Sequence, residues 1–167
     1  VKLILTRHAK SDWDDPMVSD HDRGLTGRGK RSAAAIGAWL QREGFVPSKV
    51  YSSTAQRAKW TTALAVEELT PKPSVSFHAG LYHASLDRIL AIIGEAPKGD
   101  LMVVGHNPGF AELAMALCTN RPAHPQFRRF PTAATLVLEC EIKAWSDLER
   151  NVSRSLAFVV PRELGVE

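Results

Sequence analysis

Apolar residues recur along this chain with two different periods. Short apolar runs at 2–6, 49–52 and 101–104 are bounded by polar or turn-forming residues and read as strands buried on both faces. A weaker run at 75–77 predicts a further strand. Between these runs the apolar positions fall on helical faces. Ala33, Ile36, Trp39 and Leu40 share one face of a helix predicted over 27–43, with Thr26 placed to cap its start and Gly44 to stop it. A second helix is predicted over 55–69, offering Trp60, Ala63, Leu64 and Leu69 to the core and ending at Thr70-Pro71-Lys72-Pro73. Ser85 caps a third, in which Leu86, Ile89, Leu90 and Ile93 stand at i, i+3, i+4 and i+7. Residues 110–117 are helical again. Residues 135–142 alternate, predicting a long strand with one wetter face, and 156–160 predict a last strand. The polar stretch 12–23, with Pro16 and five Asp, predicts a loop.

Strands alternating with helices imply crossover connections. The predicted fold class is therefore α/β: a three-layer α/β/α arrangement around a central, mostly parallel sheet. No repeat, low-complexity tract or linker divides the 167 residues, so 1–167 is expected to form a single domain. In such sheets ligands bind just beyond the carboxyl ends of the strands. Residues there carry the search for chemistry.

Composition narrows the field. A net charge of +3 is too small an excess to argue for nucleic acid, and it suits an anionic substrate. No stretch approaches the ~20 apolar residues of a membrane span. Val1 is followed by no basic-then-apolar leader, so a cytoplasmic location is expected, with an initiator Met upstream. Cys118 and Cys140 form no ligand pattern and read as buried small hydrophobes, which suits a reducing compartment. Asn151-Val152-Ser153 matches a glycosylation acceptor, which carries no weight without a signal peptide.

Two motifs mislead. Gly24-Leu-Thr-Gly-Arg-Gly-Lys30 satisfies most of a P-loop pattern, but Arg31 stands where the magnesium-binding hydroxyl belongs and no strand precedes it. A loop entering a capped helix explains it. Asp12-Trp13-Asp14 resembles an Asp-x-Asp nucleophile pair but does not follow an apolar strand. The six histidines show no metal-ligand spacing, so neither metal nor cofactor is expected.

The remaining candidates sit at strand ends. Arg7-His8 follows the first strand, and Gly105-His106-Asn107-Pro108-Gly109 follows the strand at 101–104. One such His is an ordinary surface group; two at corresponding ends are harder to dismiss. Gly105 would allow close backbone approach, and Pro108 suits the first turn of the next helix. Arg57 lies in the first turn of the helix after Ser52-Ser53, where a cation opposes the helix dipole and calls for an anion. Two guanidiniums can fork onto one phosphoryl group, and a neutral imidazole can attack phosphorus. The second imidazole, if protonated, would stabilise transition-state charge without metal.

At these residues the chain resembles the histidine phosphatase superfamily, the phosphoglycerate mutase-like enzymes. "TRHAKS" resembles its Arg-His motif, "DRGLTGRGKRSA" its Leu-Thr-x-x-Gly segment, "VYSSTAQRAKWTT" its second-Arg motif and "VVGHNPG" its second-His motif. The "GHNPG" form and "FPTAATLVLE" further resemble the small SixA-type phosphohistidine phosphatases. The resemblance implies that His8 becomes transiently phosphorylated while Arg7, Arg57 and His106 bind and polarise the phosphoryl group, without metal. It also implies a substrate: a phosphorylated protein, such as a histidine phosphotransfer domain, or a small phosphorylated molecule. Lys10, Ser11 and Asn107 are expected to line the pocket, and Arg121, Arg128 and Arg129 could rim it against an acidic protein surface.

Two departures matter. Ala9 stands where the motif has Gly. More consequentially, residues 74–82 lack the carboxylate that many members use as general acid. An alkoxide leaving group needs such an acid; an imidazole leaving from a phosphoramidate does not. Asp20, Asp22 and His83 are the candidates to replace it. The leading expectation is a phosphohistidine phosphatase. A phosphatase of a small phosphomonoester is the alternative, and a non-catalytic phosphate-binding module, which would have no need of His8, is a third reading.

Overall fold

A computed structural model describes residues 1–150 and 152–166. Asn151, of the acceptor motif, lies outside the described residues. Among the described residues seven strands form one sheet: β1 Lys2–Arg7, β2 Lys49–Ser53, β3 Ser74–His78, β4 Leu101–Gly105, β5 Cys118–Asn120, β6 Thr135–Cys140 and β7 Ser153–Val159. Four α-helices accompany them among the described residues: α1 Gly27–Glu43, α2 Gln56–Glu67, α3 Leu86–Gly94 and α4 Gly109–Leu117. The sheet order is β3-β2-β4-β1-β6-β7-β5. β3, β2, β4 and β1 run parallel, β6 is antiparallel to both β1 and β7, and the short β5 is parallel to β7.

Alternation along β1 explains the three layers. Leu3 and Leu5 point into a core with Phe110, Leu113 and Ile89 of α4 and α3. Ile4 points the other way, into a core with Ile36, Leu40 and Ala65 of α1 and α2. All of these side chains are almost wholly removed from water. Each large one contributes roughly 1.5–3 kcal/mol by its burial. Together the two cores fix β1 and β4 at the centre of the molecule.

Helix ends follow the sequence closely. Thr26 Oγ1 accepts from the Gly29 amide at 3.0 Å, and Gly44 closes α1 with φ 78°. The P-loop-like segment is thus a capped helix start. Ser85 caps α3 in the same way.

Two expectations need correction. α2 buries Arg57, Ala58, Thr61, Thr62 and Ala65, whereas Trp60 and Ala63 are exposed. The reason is close helix contact. A Cβ at Gly37 of α1 would lie 2.3 Å from the Ala65 carbonyl, leaving no room for large side chains between α1 and α2. β6 has no wetter face along most of its length, because β1 and β7 flank it and both cores cover it. Gly105 does allow close approach to the backbone, by the Phe110 ring: an added Cβ would lie 2.6 Å from it.

Candidate active site

Strand register builds the centre of the site. Arg7 is paired with Gly105 across β1 and β4, and the His8 amide donates to the Gly105 carbonyl at 2.9 Å. His8 and His106 therefore leave adjacent parallel strands side by side, with ring centroids 5.1 Å apart. β2, the next strand over, ends at Ser53, whose Oγ lies 2.8 Å from His106 Nε2. The Ala55 amide donates to the same Oγ at 3.2 Å. In the first turn of α2, Arg57 reaches back over this edge with 4% of its surface exposed.

A cleft of about 240 Å³ opens on these residues. Arg7, His8, Lys10, Ser11, Arg57, His106 and Asn107 all line it, so the structure brings together every residue singled out as catalytic or substrate-binding. Trp13, His83 and Thr132 complete its wall. Their contributions differ. Ser11 accepts from the Trp13 indole at 2.8 Å and fastens the loop at the cleft mouth. Asn107 donates to the carbonyls of Arg129 and Phe130 and accepts from the Ala111 amide, so its amide group mainly ties α4 to the 129–130 backbone. Arg7 Nη1 donates to the same Phe130 carbonyl at 3.2 Å.

Backbone strain gathers beside the cleft. His83, Phe130 and Ala133 have positive φ values of 52°, 47° and 61° without being glycine. The Ala133 amide donates to the carbonyls of Arg7 and His8, holding the end of β1 from the opposite side to β4.

Hydrogen bonding sets the state of the imidazoles. His8 Nδ1 lies 2.8 Å from the Ala9 carbonyl, which can only accept, so the proton sits on Nδ1 and the lone pair on Nε2. Burial, with help from Arg7 and Arg57 and against the Ala9 hydrogen bond, lowers the His8 pKa to about 4. Burial, then the neighbouring His8 and Arg57, lowers that of His106 to about 3. Both pKa values lie well below 7, so the condition under which the second imidazole would add a positive charge is not met. His106 Nδ1 and Arg7 Nε are buried without a hydrogen-bond partner among the described residues. Such groups mark places where an acceptor belongs.

Asp20 is the carboxylate at the rim. Its Oδ2 accepts from Arg57 Nη2 at 3.1 Å and from the Tyr82 hydroxyl, and lies 3.4 Å from His83 Nε2. Burial works to raise its pKa, but the hydrogen bonds from Tyr82 and Arg57 prevail and hold the carboxyl below its ordinary range. Asp20 is thus ionised here and carries no proton to give. Asp22 points elsewhere, taking a hydrogen bond from Ser19 and pairing with His21. Arg121 and Arg128 line a separate groove with Glu112 and Arg150, away from the cleft they were expected to rim. Among the described residues, no group of three or more His, Cys, Asp and Glu is arranged to hold a metal ion. Nor is any helix long and apolar enough to cross a membrane.

Sequence reasoning passed over Ser53, Thr61 and Tyr82. Thr61 accepts from the Ala9 amide at 2.9 Å and donates to the Arg57 carbonyl at 2.7 Å, joining the two halves of the site. Hydroxyls of this kind have no motif of their own. The Ser52-Ser53 pair at a strand end was the only signal for one of them.

Comparison with known proteins agrees with this geometry. A model of the histidine phosphatase superfamily (branch 1) matches residues 3–82. An uncharacterised protein of Mycobacterium leprae is 34% identical, over 93% of this chain and 99% of its own. A candidate phosphohistidine phosphatase SixA from Nakamurella multipartitia superposes with a TM-score of 0.80 at 30% identity, covering 96% of this chain and 95% of that one. A second candidate SixA, from Agrobacterium tumefaciens, gives 0.76 at 26% identity over 96% and 97%. With His8, His106 and Arg7 at the ends of adjacent strands and Arg57 at the start of α2, this chain belongs to the histidine phosphatase superfamily and is a phosphatase.

Proposed function

We propose that the protein is a phosphohistidine phosphatase acting on a phosphorylated protein, through a phosphorylated His8 and without a metal ion. The observation that carries this reading is the state of Asp20. It is the carboxylate bound at the cleft's Arg57, and its hydrogen bonds keep it ionised. A site whose cleft carboxylate has no proton to deliver suits a leaving group that needs none from a carboxylic acid.

The chemistry follows from the tautomer. His8 Nε2 attacks phosphorus in line with the P–N bond of the substrate. That bond breaks, its electron pair stays on the substrate imidazole, and solvent protonates the imidazole. Arg7 and Arg57 supply the positive charge that spreads over the equatorial oxygens. The unpartnered Nδ1 of His106, when Nε2 accepts the Ser53 hydroxyl, is one further N–H donor. Water then attacks phosphorus, His8 leaves with its electron pair, and water's proton departs as inorganic phosphate forms.

A substrate panel tests the assignment. Phosphohistidine in a protein and phosphoramidate are expected to be hydrolysed with kcat/KM well above that for phosphoserine, sugar phosphates and phosphoglycerate. Phosphomonoesters turned over faster by orders of magnitude would make the protein a metabolite phosphatase instead.

A further inference from the structure

A second groove, of about 350 Å³, shares Lys10 and Thr132 with the catalytic cleft. Lys10, Arg28, Arg129 and Arg162 line it, with no carboxylate among the lining residues. These four cations outnumber the net charge of the whole chain, which is +3. None of them takes part in an ion pair among the described residues. Glu163, the carboxylate next to Arg162 in sequence, does not line the groove and is held by His124 and the Val160 amide. Clustered like charges repel one another, and an uncompensated cluster beside a catalytic cleft draws anions toward it.

We infer that this groove docks an acidic segment of the protein substrate, seating Asp and Glu side chains that flank the phosphohistidine. The inference rests on the proposed function and names what that substrate must carry. Two features favour distributed carboxylates over one small anion. The four cations come from four separate segments: the stretch just after β1, the first turn of α1, the 121–134 connection and the final 3-10 turn at Pro161–Leu164. All four side chains are also exposed, so no buried donor set fixes a single anion in one place. Exposed, flexible cations around a trough match a surface whose charges are spread along a chain. Because Lys10 belongs to both walls, an acidic flank seated here leaves its phosphohistidine within the cleft.

The test uses two synthetic phosphohistidine peptides, one flanked by Asp and Glu and one by Ser and Gln, with phosphoramidate as a substrate too small to reach the groove. The wild type is expected to favour the acidic peptide about three- to tenfold in kcat/KM at low salt, mostly through KM, and to lose the preference at high salt. The double variant Arg28→Gln/Arg162→Gln should lose the preference while hydrolysing phosphoramidate at the wild-type rate. Equal kcat/KM for the two peptides, or a preference that survives in the variant, would overturn the docking inference alone. Failure of the wild type on both peptides and on phosphoramidate would overturn the proposed function and this inference with it.

Discussion

Arg57 and Asp20 are joined twice: the guanidinium donates to the Asp20 carbonyl oxygen at 2.6 Å and to its carboxylate at 3.1 Å. A loop aspartate thus occupies part of the arginine fork that a phosphoryl group would use. The contact satisfies a cation that would otherwise stand against the positive end of α2.

The pairing predicts an unusual phenotype for Asp20→Asn. Removing the charge frees Arg57, so inorganic phosphate should inhibit the variant several-fold more tightly, read from its inhibition constant. Phosphoramidate turnover should stay within a few-fold of wild type. A drop of two orders of magnitude in kcat would instead identify Asp20 as the proton donor.

His8→Ala should abolish turnover with the fold retained, as judged by circular dichroism. After rapid mixing with substrate, the wild type should carry phosphate that is labile in acid and stable in base, and the variant should carry none. Residual activity near the wild-type level would remove His8 from the nucleophile's role.

The pH dependence has a definite sign. The folded pKa of His8, about 4, lies below its ordinary 6.5, so between those values the unfolded chain binds more protons. Stability contributed by the neutral ring is complete above about pH 6.5 and is lost as pH falls toward 4. His8 alone accounts for on the order of 3 kcal/mol of that loss. The melting temperature should fall from pH 7 to pH 5, and less steeply in His8→Ala. The acid limb of kcat/KM should lie near pH 4 and not near 6.5. A limb at 6.5 would mean that His8 is not desolvated.

Ser53→Ala tests the support of the second histidine. It removes the hydroxyl at 2.8 Å from His106 Nε2 and leaves the strand intact. A kcat reduced about tenfold or more, with a smaller change in KM, is expected for loss of a group that orients a catalytic ring. Unchanged kinetics would show that packing alone positions His106.

Two glycines separate stability from activity. A Cβ at Gly29 would lie 2.2 Å from the Lys10 carbonyl, and one at Gly37 would lie 2.3 Å from the Ala65 carbonyl. Alanine at either position should cost about 1–3 kcal/mol or more in denaturant unfolding. Only Gly29→Ala should also lower kcat strongly, because Lys10 lies two residues from His8 and lines the cleft. Equal losses of activity would mean that the 9–11 segment tolerates displacement.

Much of this site was legible in the residues because it is built on strands. Arg7, His8 and His106 stand where apolar runs end, and the carboxyl-end rule then places them together. The caps at Thr26 and Ser85 and the stop at Gly44 act locally and were legible for that reason. The α2 face was misjudged because its neighbour, not its own pattern, selects the buried side. Gly37 brings α1 so close that Thr61 and Thr62 are enclosed while Trp60 is left outside. Nor did any local pattern announce the Arg57–Asp20 contact, since it joins a loop and a helix 37 positions apart. β5 has three residues and pairs only with β7, too brief a run to show a period.

The two imidazoles are spaced by the hydrogen bonds between β1 and β4 and not by the connections around them. The imidazole pair is in effect machined into the frame, while the segments at 12–25 and 121–134 brace the two arginines and the end of β1 through Asp20, Phe130 and Ala133. Exchanging either segment is therefore expected to disturb the arginines before it disturbs the spacing of His8 and His106, which the sheet sets.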